Sequence, residues 1–195
     1  LLQCPAETLH PLQAVIVVDN GGDLDTSKLR DLKIDVRVVV PGRNLGCGGG
    51  LRFAESTALR DCTALTHVWI LDDDAVVTPE SLGELLIALH AETADAAHPL
   101  VLDDAGRIGW FPGLLDLRKF KAIRASPTVD AFIAAHSDAP IPFSWCQGIA
   151  LLVTRRMLDS LGLHRDDYWV RGEDLEFSLR ITERHRGIYV PAARV

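Results

Sequence analysis

Three consecutive carboxylates, Asp72, Asp73 and Asp74, follow the apolar run Val68-Trp69-Ile70-Leu71 without a break. Side by side they repel one another by about 1 kcal/mol per pair in water, and by more in a partly dry cleft. Something positive must offset that cost. In an extended backbone alternate side chains point the same way, so Asp72 and Asp74 converge while Asp73 points to the opposite side. Two converging carboxylates suit a hard cation that takes oxygen ligands, Mg2+ or Mn2+. Such an ion takes one or two carboxylates and completes its shell with the phosphates of a substrate, so the triplet points to a nucleotide diphosphate. The plainer reading is a solvated turn whose negative charge favours the N-terminus of the next helix.

Two other stretches carry groups of the same kind. Arg43-Asn44-Leu45-Gly46-Cys47-Gly48-Gly49-Gly50 is rich in glycine, which lets backbone approach a ligand closely, and it leads into a helix whose N-terminus attracts negative charge. Leu51 stands where the last glycine of a dinucleotide fingerprint would fall, and the Gly-Lys of a P-loop is missing. Close helix packing is the alternative use of these glycines. Glu173 and Asp174 head a late helix, after Tyr168-Trp169 and a hinge-like Gly172, where acidic residues also serve as first-turn charges.

The elements that must position these groups follow from hydrophobic patterning. Apolar runs alternate with amphipathic stretches, the pattern of βα units in a mostly parallel sheet flanked by helices, an α/β fold. Residues 14–18 and 36–40 are apolar runs closed by Asp19-Asn20-Gly21-Gly22 and Pro41-Gly42, as expected of strands buried on both faces. Residues 51–65 have helical spacing, and 67–71 form the strand that ends on the triplet. Thr78 is placed to cap a helix with Pro79 at its first position, whose buried face is Leu82, Leu85, Leu86 and Leu89. Residues 98–142 lack clear periodicity and read as substrate-side loops. A strand at 148–153, a short helix at 156–161, a longer helix at 173–185 and a strand at 187–191 complete the chain. Ligands of open α/β sheets bind outside the carboxyl ends of the strands, where the triplet lies.

Composition narrows the classes. With 195 residues, 48% hydrophobic and 24% charged, the chain has the makings of one domain with one core. The net charge of -7 and the scattering of Lys and Arg argue against nucleic acid as a partner. Cys4, Cys47, Cys62 and Cys146 form no C-x-x-C pair, so neither a zinc site nor a disulfide framework is indicated and a reducing cytoplasm fits. No apolar run is long enough to span a bilayer and no leader is visible, while peripheral attachment at the inner face of a membrane stays open. His164 and His185 lack the spacing of metal ligands.

Taken together, VIVVDNGG at 15–22, GRNLGCGGG at 42–50, WILDDD at 69–74 and GEDLEFSLR at 172–180 resemble family 2 glycosyltransferases, in that family's order and separations. The resemblance covers nearly the whole chain, with 98–142 its weakest part. It implies a GT-A, Rossmann-like domain over 1–195 and an inverting transfer of a sugar from a UDP- or dTDP-type donor to a glycan or lipid-linked acceptor. It implies that Asp19 hydrogen-bonds the nucleotide base, with Asn20 shaping its turn, although the Asn-Gly pair is also a strong turn former on its own. Arg43, Asn44 and Gly49 would contact the nucleotide sugar, Asp72 and Asp74 would hold the metal and Asp73 would orient the sugar or ribose. Asp174 would be the catalytic base, with Glu173 beside it as the second catalytic residue. Trp145, Gln147 and Trp169 would form the acceptor site, since aromatic faces suit sugar stacking.

Within the family the motifs look most like the galactofuranosyl- and rhamnosyltransferase branch, and the ratio of 16 Arg to 4 Lys with abundant alanine is compatible with bacterial polysaccharide or cell-wall building. The family pattern also includes a first strand with a Thr-x-Asn-like motif and a late metal-binding His. Neither falls within this sequence. A sugar-phosphate nucleotidyltransferase would share the acidic residues but should carry a Gly-rich loop with Arg and Lys near its start. A non-catalytic carbohydrate-binding domain of the same fold would have little use for Asp74 and Asp174.

Overall fold

The computed structural model describes residues 12–29, 31–109, 114–116, 121–123, 128–136 and 138–195; Cys4 lies outside them. Two short apolar runs, β1 (Val15–Val18) and β2 (Val36–Val39), form a parallel pair. Helix α1 (Gly46–Asp61) returns the chain to β3 (His67–Ile70), and α2 (Ser81–Ala91) leads on to β4 (Ala96–Leu100). A hairpin of β5 (Leu114–Asp116) and β6 (Lys121–Ile123), helix α3 (Val129–His136) and the short β7 (Ile141–Pro142) occupy the stretch expected to be loops. Next come β8 (Leu151–Thr154), α4 (Arg155–Leu161), α5 (Glu173–Arg184) and β9 (Gly187–Arg194).

The α/β class is as expected, but the main sheet is mixed where a mostly parallel one was predicted. Its order is β3-β8-β4-β9-β7. Only β4 and β9 pair in parallel; β8 runs antiparallel to both β3 and β4, and β7 antiparallel to β9. The reason lies in the connection. Strand β8 is reached through the long 101–150 excursion rather than a helical crossover, so nothing obliges it to run with its neighbours.

Alternation along the strands sorts the core into two layers. Leu151 and Val153 of β8, Ala96 of β4 and Tyr189 of β9 pack with Met157, Leu158, Phe177 and Ile181 of α4 and α5. Their neighbours in sequence, Leu152, Ala97, Ile188 and Val190, pack instead with Leu82, Leu85, Ala88 and Leu89 of α2. This period of two is what a sheet covered on both faces requires. Leu82, Leu85 and Leu89 are buried as predicted. Helix α2 nonetheless begins at Ser81, because Thr78 is engaged in a turn: Ser81 N donates to Thr78 O at 3.2 Å, and the two hydroxyls lie 2.8 Å apart.

One buried group makes the core sensitive to acid. His98 is 1% exposed on β4, its ring edge-on to Tyr189 with centroids 5.1 Å apart, and burial pushes its pKa down from 6.5 to about 4. Between those values the unfolded chain binds a proton that the folded chain refuses. Stability therefore falls as pH drops from 6.5 toward 4, by about 1.4 kcal/mol per unit from this residue, and the loss levels off below 4. Urea denaturation across that window should show a steeper pH dependence in the wild type than in His98→Gln. Equal slopes would assign the acid sensitivity elsewhere.

Candidate active site

The ends of β1 and β3 and the starts of α1 and α5 gather in one region. Strand β1 gives way to a turn in which Asp19 accepts from Gly22 N at 2.7 Å and from Leu24 N at 3.1 Å. Those amides, Leu24 first, hold its carboxyl below the usual carboxylate range. Asn20 works as a clamp: its Oδ1 accepts from Leu45 N at 2.8 Å and its Nδ2 donates to Gly46 O at 3.0 Å. The Asn-Gly turn thus fastens the end of β1 to the start of α1.

Helix α1 begins at Gly46, five residues ahead of the predicted start, and the glycine cluster lies inside it. Tertiary contact overrides the poor helix propensity of glycine here. Cys47 N donates to Trp169 O at 2.8 Å and Gly48 N to Tyr168 O at 3.0 Å, so these first-turn amides are spent on the loop before α5. A Cβ on Gly48 would lie 2.4 Å from Arg165 O, and the direction a Cβ would take on Gly49 is filled by Leu45 and Asp166. These glycines serve close packing of helix on loop. Arg43 and Asn44 stay exposed ahead of the helix, with Asn44 Oδ1 accepting from Gly46 N at 2.8 Å.

The same loop is anchored from below. His164 Nδ1 lies 2.8 Å from Glu55 Oε1, and His164 N donates to Glu55 Oε2 at 2.9 Å, with both residues buried. The His164 ring stacks on Phe177 of α5, with centroids 3.8 Å apart. One side-chain pair therefore fixes α1, the loop and α5 relative to one another. At the loop's end Gly172 takes φ 98°, a left-handed conformation that favours glycine, and turns the chain into α5.

The acidic groups lie near enough for their charges to reach Asp72. Asp72 is exposed at its surface, yet partial desolvation, and then the charges of Asp74, Asp73, Glu173 and Asp174, hold its carboxyl above its ordinary value. The Cys47 thiol is pushed up to about 12, first by partial desolvation and then by the nearby Glu173 carboxylate, with Asp72 and Asp174 adding to it. Glu173 is 9% exposed, and its Oε2 has no hydrogen-bond partner among the described residues. Asp174 Oδ1 accepts from Leu175 N at 2.6 Å, and its Cβ lies beside Gly148. Buried Cys146 sits close enough for Asp174 to raise its thiol further, after burial itself.

The predicted residues thus fall into two groups. Asp72, Asp73, Asp74, Glu173 and Asp174 lie in one region, near enough for the other four to influence Asp72, with Gln147 next to the glycine beside Asp174 and the exposed Trp169 on the loop leading to it. Trp145 is half-buried, its carbonyl accepting from Tyr189 Oη at 3.1 Å, while Asp19 and Asn20 stand at the β1 end of this region. Cys47 was missed as a residue of this region. Its isolation from the other cysteines carried no signal, and only its first-turn position beside the glycines hinted at it. Among the described residues no three His, Cys, Asp or Glu side chains are gathered as a ready-made metal cage.

The sequence profile of glycosyl transferase family 2 matches residues 4–147, most of the chain. The chain belongs to glycosyl transferase family 2. Its fold is GT-A, shared with the crystal structure of GalNAc-T7 with UDP, GalNAc and Mn2+ (TM-score 0.68, 18% identity, 93% of this chain and 37% of that chain). It is also similar to the crystal structure of A197 from STIV (TM-score 0.54, 12% identity, 93% of this chain and 83% of that one). The chain spans little more than a third of the GalNAc-T7 structure. No curated protein matches it by sequence. Glu173 and Asp174 lie beyond the segment that the family 2 profile covers.

Proposed function

We propose that this family 2 domain transfers a sugar, with inversion, from a nucleoside diphosphate donor of the UDP or dTDP type to a hydroxyl of a glycan or lipid-linked acceptor. The observation that supports the reading is that Asp72, just after β3, lies near enough to Glu173-Asp174 at the head of α5 for their charge to reach it. Such an arrangement brackets a sugar joined to a diphosphate. Asp174 takes the proton of the acceptor hydroxyl as that oxygen attacks the anomeric carbon, and the bond to the diphosphate breaks with its electron pair on the leaving oxygen. Buried Glu173 stands beside Asp174 at the head of α5.

The residues fit a divalent cation through few ligands. Asp72 and Asp74 supply hard oxygens, and the Asp72 carboxyl, raised first by desolvation and then by its acidic neighbours, would gain from a cation there. Mg2+ or Mn2+ held there supplies neutralisation of the departing diphosphate. Asp73 orients ribose or sugar, while Trp169 and Gln147, with Trp145, border the acceptor side. The galactofuranosyl- and rhamnosyltransferase branch is our reading of the donor class, resting on the motifs alone. A lipid-linked acceptor would hold the enzyme at the cytoplasmic face of a membrane; no helix among the described residues is long and apolar enough to cross one.

Thermal denaturation tests the metal arm. UDP with Mn2+ should raise the Tm more than UDP alone, with about 2.7 kcal/mol of stabilisation at a hundredfold excess over Kd, and Asp74→Ala should lose the metal-dependent part. Stabilisation only by a nucleoside triphosphate with a sugar phosphate would point to a nucleotidyltransferase. No response to any nucleotide would leave a carbohydrate-binding module.

A further inference from the structure

A second set of reactive side chains lies where α5 ends and β3 starts, away from the acidic groups that follow β3 and head α5. His185 closes α5, and at 1.5 Å per residue that helix puts it roughly 18 Å from Glu173. The His185 Nδ1 lies 3.2 Å from Asp95 Oδ2, and its Nε2 lies 2.9 Å from Ser160 Oγ. Asp95 precedes β4 and Ser160 lies in α4, so a hydroxyl, an imidazole and a carboxylate distant in sequence are strung in one line of hydrogen bonds. None of the three takes part in the proposed sugar transfer.

The hydrogen bonds fix the role of each group. Asp95 is 7% exposed, and its carboxylate accepts from Arg156 Nη2 at 2.5 Å and from Arg186 N at 3.3 Å as well as from His185. Burial works against its charge, but Arg156, the Arg186 amide and His185 outweigh it and hold the carboxyl below the usual range. An ionised carboxylate only accepts, so His185 Nδ1 carries the hydrogen and Nε2 turns its lone pair to Ser160. Ser160 Oγ is then the donor, its one hydrogen shared between Nε2 and Met157 O at 3.1 Å. The Asp95 backbone is pinned too, its N donating to Arg186 O at 2.8 Å and its O accepting from Thr154 N at 2.9 Å. A carboxylate held on rigid structure orients the imidazole, and the oriented imidazole takes a hydroxyl proton.

The hydroxyl can also be reached. Ser160 is exposed and lines a cavity of about 660 Å³ with Thr66, His67, Thr154, Arg155 and Arg156. Arg156 is tethered to Asp95 through one nitrogen while its side chain stays 76% exposed, which leaves further guanidinium N–H groups for a ligand. We propose that Ser160, His185 and Asp95 form a second, hydrolytic site that cleaves small, solvent-accessible carboxylic esters. Ser160 Oγ attacks the ester carbonyl carbon as His185 Nε2 takes its proton, and Arg156 donates to the carbonyl oxygen while that oxygen is negative. The carbonyl reforms, the bond to the alcohol oxygen breaks with its electron pair on that oxygen, and His185 returns the proton to it. Water deprotonated by the same imidazole then attacks the acyl-serine, and Ser160 leaves with the proton restored.

The test treats the full chain with a fluorophosphonate, which labels a serine activated by a neighbouring base, and locates the adduct by peptide mass spectrometry; p-nitrophenyl acetate reads turnover. The proposal expects the adduct on Ser160, and ester turnover that falls to the rate without protein in Ser160→Ala and by at least about a hundredfold in His185→Gln. Ser160→Ala removes only an exposed hydroxyl, so its urea midpoint and its sugar transfer should match the wild type. An unlabelled Ser160, ester turnover unchanged in Ser160→Ala, or labelling as fast in His185→Gln as in the wild type would each overturn the proposal. No nucleotide enters this readout, so its outcome is independent of the proposed transfer.

Discussion

Asp174→Asn should lower sugar transfer by about a thousandfold, the range expected for loss of a positioned general base, while leaving the Kd for UDP with Mn2+ unchanged. The substitution keeps the size of the side chain and its bond to Leu175 N, so the head of α5 should not move. Turnover is read as UDP released from UDP-sugars over a panel of glycan acceptors, and binding by calorimetry. Retention of activity in Asp174→Asn would remove the proposed base, and a parallel loss of UDP affinity would make Asp174 a binding residue instead.

Gly48→Val should be nearly as severe for a different reason. A Cβ there would lie 2.4 Å from Arg165 O and 2.8 Å from Tyr168 O, backbone atoms that cannot swing aside as a side-chain tip would. Overpacking of this kind costs about 1–3 kcal/mol. The displaced loop is the one that carries Gly172 and sets Glu173 and Asp174, and a shift of about 1 Å in catalytic groups costs about a hundredfold in rate. Urea denaturation and turnover should both report the damage. Gly83→Ala is the control: nothing lies within 4 Å of its Cβ position on α2, so it should gain roughly 1 kcal/mol and leave turnover alone. If Gly48→Val behaves like that control, the close packing of α1 on the loop has no role in placing α5.

These two substitutions also mark how far the sequence was readable. Strand β3 and its acidic end were plain because an unbroken apolar run meets three charges, and α5 because its carboxylates sit on an abrupt start after Gly172. The start of α1 was not, since four glycines within five residues oppose a helix locally and only contact with residues 165–169 makes one. Strand β4 was hidden for a similar reason: Ala96, Ala97, His98 and Pro99 have poor strand propensity, yet they lie fully buried between β8 and β9. The antiparallel course of β8 is a matter of topology, which no local pattern encodes. Asn20 looked like a turn residue and is one, but its clamp on Leu45 and Gly46 spans 25 and 26 residues of sequence and becomes visible only in three dimensions.

The claim on which the rest depends is that one metal-bound diphosphate touches both the end of β3 and the head of α5. Paramagnetic broadening of backbone amide signals by Mn2+ in the presence of UDP measures this directly. The amides of Asp72, Asp73, Asp74 and Ala75 and those of Glu173, Asp174 and Leu175 should vanish together at substoichiometric Mn2+, and should be spared in Asp74→Ala. Broadening confined to one of the two groups, or scattered over surface carboxylates such as Asp104 and Asp138, would contradict a shared site.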